Sequence, residues 1–86
     1  MDFNGYEQVG QARERYSGTY GSAFEAARWL RERYAEYQRG IASQSVPVVR
    51  EWFAEQRLHK GEPVTWECRT ADGHWVVLSV VPDGRL

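Results

Sequence analysis

The hydrophobic repeat of this chain changes period at Pro63, and that change limits the available folds more than any other feature of the sequence. Upstream, apolar residues recur every three or four positions, as on a helix face. Downstream, Val64, Trp66 and Cys68 alternate with Thr65, Glu67 and Arg69, as on a half-buried strand. Ala71-Asp72-Gly73 supplies a turn, Trp75 to Val81 returns as a second strand, and Pro82-Asp83-Gly84 ends it. The length of the turn sets the register. A two-residue Asp72-Gly73 loop pairs Trp66 with Ser79 and Glu67 with Leu78, mixing polar and apolar neighbours. A three-residue loop with Gly73 in a left-handed conformation pairs Val64 with Val80, Trp66 with Leu78 and Cys68 with Val76. One face is then wholly apolar, and because a one-residue slip reverses every side chain, the three-residue register is expected.

Two helices are predicted ahead of the hairpin. Ser22-Ala23-Phe24-Glu25 has the spacing of a capping box, and Ala23, Ala27, Leu30, Tyr34 and Tyr37 form an apolar stripe that ends before Gly40. This predicts a helix over 23–39. After a connection from Ile41 to Gln44, Ser45 can cap a second helix over 46–60. Pro47 sits in its first turn, where its missing N–H costs nothing, and Gly61 ends it. Its core face is expected to be Val46, Val49, Trp52 and Phe53. Residues 1–20 are the hardest to place. Asn4-Gly5-Tyr6-Glu7 also fits a capping box, and Phe3, Tyr6, Val9, Arg13 and Tyr16 follow roughly one helical stripe, although Gly5 and Gly10 weaken it. The segment is expected to be a short helix over 5–16 or a weakly ordered arm.

A chain of 86 residues with 42% hydrophobic and 14% aromatic content has enough apolar material for one small domain, 1–86, and no room for a second. The fold expected is α+β, with two or three N-terminal helices packed on one face of a C-terminal antiparallel β-hairpin, 63–81. Trp75 to Val81 is a low-charge, β-prone window that would aggregate as a bare edge. A strand from the N-terminal arm could cover it, but pairing with the same hairpin in a second chain covers more for less sequence. A homodimer that completes the sheet is therefore expected.

Chemistry-bearing residues mostly have structural explanations. Cys68 and His74 lie diagonally on the preferred core face, where a free cysteine behaves as a small hydrophobe and no third residue orients a catalytic pair. Cys68, His59 and His74 lack compact metal-ligand spacing. Glu25, Glu32 and Glu36 are accounted for by capping and helical pairing, and no phosphate-binding glycine loop is present. No catalytic, cofactor-binding or metal residue is assigned. The segment Thr65 to Val81 resembles the hairpins of small ribonuclease toxins, but the basic cluster of their strand ends is missing and no residue is carried over.

A net charge of −1 weighs against a dedicated nucleic-acid binder. Arg28, Arg31, Arg33 and Arg39, interleaved with Trp29 and Tyr34, nevertheless give a nucleic-acid-binding regulator as the alternative function, with a small hydrolase or nuclease third. Aromatics and arginine are enriched at binding hot spots, so Trp29, Arg28, Arg33, Arg69, Trp75 and Val77 are the candidates for partner contact. The leading expectation is a non-enzymatic interaction module, of the phage- or plasmid-borne inhibitor or regulator type, that binds a larger protein complex. Residues 1–20 lack the apolar centre of a signal peptide and Trp75 to Val81 is too short to span a bilayer, so a cytoplasmic location and no membrane partner are expected.

Overall fold

The computed structural model describes residues 1–39 and 48–84. Its elements run in the order β1 (Asp2–Val9), β2 (Arg15–Tyr20), α1 (Ala23–Tyr37), α2 (Val48–His59), β3 (Val64–Arg69) and β4 (Trp75–Asp83). The β3–β4 hairpin has the anticipated register, with Val64 opposite Val80, Trp66 opposite Leu78 and Cys68 opposite Val76. Thr70 N–H donates to the His74 carbonyl at 2.9 Å and closes the three-residue loop. Gly73 has φ of 89°, the left-handed conformation that a side chain would resist.

The expected architecture of helices on a C-terminal hairpin is overturned. The sheet has four antiparallel strands in the order β2-β1-β4-β3, with strands at both ends of the chain and the helix pair between them. β1 pairs with β4 from Asp2↔Asp83 to Val9↔Val76. The edge assigned to a second copy of the chain is therefore filled from within the same chain, and the sheet needs no dimer partner to complete it.

The short helix or loose arm expected over 1–20 is likewise replaced by two strands. Phe3, Gly5, Glu7 and Val9 point towards the helices, but only the first and last of these are apolar, so the two-residue period is hidden. Gly5 leaves room for the Trp29 ring: a Cβ added there would lie 3.2 Å from it. Gly5 also faces Gly18 across β2, while Tyr6 faces Tyr16, so Ser17 is the extra residue of a bulge.

Both helices cover one face of the sheet. The core between the layers joins Phe3, Val64, Trp66, Val76, Leu78 and Val80 to Ala26, Ala27, Leu30, Ala54 and Leu58. Ser22 Oγ accepts from the Glu25 amide at 3.1 Å, so the predicted cap at the start of α1 is present. At the end of α2, Gly61 N–H donates to the Leu58 carbonyl and Glu62 N–H to the Arg57 carbonyl, which closes the last turn.

The expected core face of α2 is also corrected. Ala54 and Leu58 are buried, whereas Val49, Trp52 and Phe53 are exposed. On one side of α2 the Arg50 guanidinium lies 4.6 Å from the Trp66 ring centroid and 5.1 Å from that of Tyr34. On the other side Glu51 meets Arg28 and Arg31 of α1. The caps and turn assigned to Gly40, Ser45 and Pro47, the Ile41–Gln44 connection and the core role of Val46 lie outside the described residues. No helix among the described residues is long and apolar enough to cross a membrane.

Candidate functional site

The outer face of α2 is an exposed aromatic surface. Trp52 is 54% and Phe53 57% exposed, and their rings meet edge to face at 5.1 Å. Helical spacing places Val49, Phe53 and Arg57 on one row, with Lys60 just past the helix end on the same side. Phe24, exposed on the first turn of α1, carries the Arg28 guanidinium 5.3 Å from its centroid. Arg28 Nε in turn approaches Glu51 Oε2 at 3.4 Å, an ion pair without hydrogen-bond alignment. Glu51 Oε1 takes Arg31 at 3.2 Å. These charges hold the two helices together at the margin of the apolar patch.

The candidates read from the sequence do not gather at one place. Trp29 is 9% exposed, packed against Gly5 and 5.8 Å from the Tyr20 ring, so it offers a partner almost nothing. Arg28 lies on the helix layer. Arg69, Trp75 and Val77 lie on the opposite, uncovered face of the sheet, where Arg69 sits 5.2 Å above the exposed Trp75 ring and Val77 faces Gln8 and Glu67 across the strands. The sequence missed Trp52 and Phe53 as surface residues. The available signal was the second apolar pair, Ala54 and Leu58, at helical spacing on another side of the same helix.

Arg33 is half-buried in a cluster of its own. Its Nε donates to Glu7 Oε1 at 2.9 Å, and another guanidinium nitrogen donates to Glu7 Oε2 and to the Tyr37 hydroxyl, both at 3.3 Å. The hydrogen bond to Glu7 holds the Arg33 guanidinium above its ordinary range, and burial followed by Glu7 raises the Tyr37 phenol. Glu7 itself was missed because a carboxylate at an inward strand position breaks the hydrophobic alternation. Among the four arginines considered for nucleic acid, Arg28 and Arg31 share Glu51, Arg33 holds Glu7, and Arg39 holds Glu36 at 2.8 Å.

Cys68 is buried, and that burial pushes its thiol up, away from the reactive thiolate. His74 is exposed on the hairpin turn with Nδ1 3.1 Å from Asp72. The Thr70 hydroxyl donates to Asp72 and, ahead of His74, holds that carboxyl below its usual range. His59 meets Glu55 at 3.3 Å one turn earlier on α2. Among the described residues no group of three His, Cys, Asp or Glu side chains is placed to hold a metal. No protein-family model, curated protein or solved structure matches the chain.

Proposed function

We propose that this chain is a non-enzymatic interaction module that acts by docking the outer face of α2 into an apolar groove on a larger protein. The observation that carries this role is the Trp52–Phe53 pair, two large rings more than half exposed on a helix whose opposite side already fills the core. A helix laid in a groove uses side chains at spacings of three and four, which Val49, Trp52, Phe53 and Gln56 provide. Arg57 and Lys60 prolong the row as cations, so the matching groove is apolar with an acidic rim. Occupying such a groove would inhibit or regulate the larger protein, and the proposed setting is the cytoplasm. A nucleic-acid role has less support, since the arginines of α1 already meet carboxylates.

The test is affinity purification from the native host with the wild-type chain, the Trp52→Ala/Phe53→Ala double variant and Trp75→Ala. Each captured protein is then purified and titrated directly. Loss of binding in the α2 double variant, with Trp75→Ala unaffected and far-UV circular dichroism unchanged in both, is the expected result. Equal affinity of the α2 variant and the wild type would contradict the role, and loss confined to Trp75→Ala would move the binding surface to the sheet.

A further inference from the structure

On the side of the molecule where β1 turns into β2, a cleft of about 210 Å³ is lined by Glu7, Val9, Ala12, Arg13, Arg15 and Tyr37. It is smaller than the pockets of several hundred Å³ that enclose drug-sized ligands, and suits a group of a few heavy atoms. Its frame is fixed by the backbone. Gly10 N–H donates to the Trp75 carbonyl at 2.7 Å and Ala12 N–H to the Val9 carbonyl at 3.1 Å, which ties the turn to β4 and to the end of β1. Arg13 and Arg15 then leave the turn as exposed side chains, with no ion pair to either among the described residues.

The charges around the cleft suit an anion that still carries a proton. Arg13 and Arg15 supply two planar forks, the geometry that grips an oxyanion through paired hydrogen bonds. Glu7 would repel a bare anion, but Arg33 binds both of its oxygens from the protein side. Each carboxylate oxygen keeps lone-pair capacity, so Glu7 can accept a hydrogen bond from a P–OH group. The Tyr37 hydroxyl stands beside it, held by Arg33. A carboxylate acceptor among arginines admits protonated phosphate and rejects sulfate, which has no proton to give at neutral pH. Glu14, in the same turn, is exposed and does not line the cleft.

We propose that this cleft binds a phosphate group that keeps a P–OH, as the free ion or as the monoanion of a small phosphate monoester, with Arg13 and Arg15 gripping its oxygens and a Glu7 carboxylate oxygen accepting a hydrogen bond from the P–OH. The site is separate from the outer face of α2 and does not depend on the docking role.

The experiment is a titration of the full chain at about pH 6, where both phosphates keep a P–OH and sulfate does not, followed by amide NMR at constant ionic strength, with inorganic phosphate, phenyl phosphate and sulfate in separate arms. Saturable shifts confined to residues 7–15 and the neighbourhood of Tyr37 are expected with phosphate and not with sulfate. Tighter binding of phenyl phosphate would assign an organic monoester, and tighter binding of inorganic phosphate the free ion. Arg13→Ala/Arg15→Ala, which changes only exposed side chains, should weaken binding by at least about tenfold. Glu7→Gln should let sulfate bind comparably to phosphate. Shifts that do not saturate, equal shifts with sulfate in the wild type, or unchanged affinity in the double arginine variant would each overturn the proposal.

Discussion

Arg33 Nε donates to Glu7 Oε1 at 2.9 Å, across 26 residues of sequence, and so clamps the C-terminal part of α1 onto an inner strand of the sheet. Glu7 keeps only 9% of its side-chain surface while Arg33 keeps 37%, so the carboxylate is the member that cannot do without its partner. Replacing Arg33 alone with Met should destabilise the fold by about 1–3 kcal/mol, less than for a wholly buried pair because of the exposure of Arg33. Glu7→Leu/Arg33→Met together should cost less than Arg33→Met alone, because no charge is left orphaned. Urea denaturation of the two variants measures this, and a double variant less stable than the single would contradict it.

Gly5 makes a second contact between β1 and α1. A Cβ at that position would lie 3.2 Å from the Trp29 ring, which is itself held in the core. Gly5→Ala should therefore cost about 1–3 kcal/mol through overpacking. Gly21→Ala has nothing within 4 Å of its added Cβ and should leave stability within about 0.5 kcal/mol. Thermal unfolding of the pair, with Trp fluorescence reporting on the ring, separates the two.

These two contacts explain why the hairpin was legible in the sequence and the N-terminal strands were not. In β3 and β4 every inward position is apolar, so alternation and turn length together fix the register. In β1 the inward positions are Phe3, Gly5, Glu7 and Val9: one lacks a side chain because Trp29 fills the space, and one is a carboxylate because Arg33 reaches it from α1. Both departures depend on partners more than twenty residues away, beyond the reach of any local pattern. Tyr6, which completed an apparent helical stripe with Phe3 and Val9, instead sits on the opposite face and meets Tyr16 at 6.0 Å. The same limit applied to α2. The larger side chains Val49, Trp52 and Phe53 marked the expected core face, whereas the face that turns inward carries the smaller pair Ala54 and Leu58, flanked by Arg50 over Trp66 and by Glu51 beside the arginines of α1.

The orientation of α2 has a direct consequence for stability. Trp52→Ala should change unfolding free energy by no more than about 1 kcal/mol, since it removes an exposed ring and its contact with Phe53. Leu58→Ala, at a fully buried position, should cost about 2–5 kcal/mol. Chemical denaturation of both variants checks the assignment, and the reverse ranking would restore the face anticipated from the sequence.

Burial of Cys68 gives a pH dependence of defined sign. The folded thiol is raised above its unfolded value, chiefly by desolvation. Its contribution to stability is therefore fully present below the unfolded thiol pKa, about 8.5, and is lost as pH rises through the folded value. Stability of the wild type should fall across alkaline pH more steeply than that of Cys68→Ala. In native buffer, Cys68 should react with a thiol reagent only at the rate of opening, and rapid labelling at neutral pH would contradict its placement.

β1 completes the sheet from within a single chain, which removes the need for a partner at the β4 edge. Native-state hydrogen exchange tests this most directly, read at the amides of Gly5, Tyr6 and Glu7 at several protein concentrations. Protection of these amides comparable to that of Leu78 and Val80, and independent of concentration, is the predicted result. Rapid exchange in β1, or protection that grows with protein concentration, would contradict it.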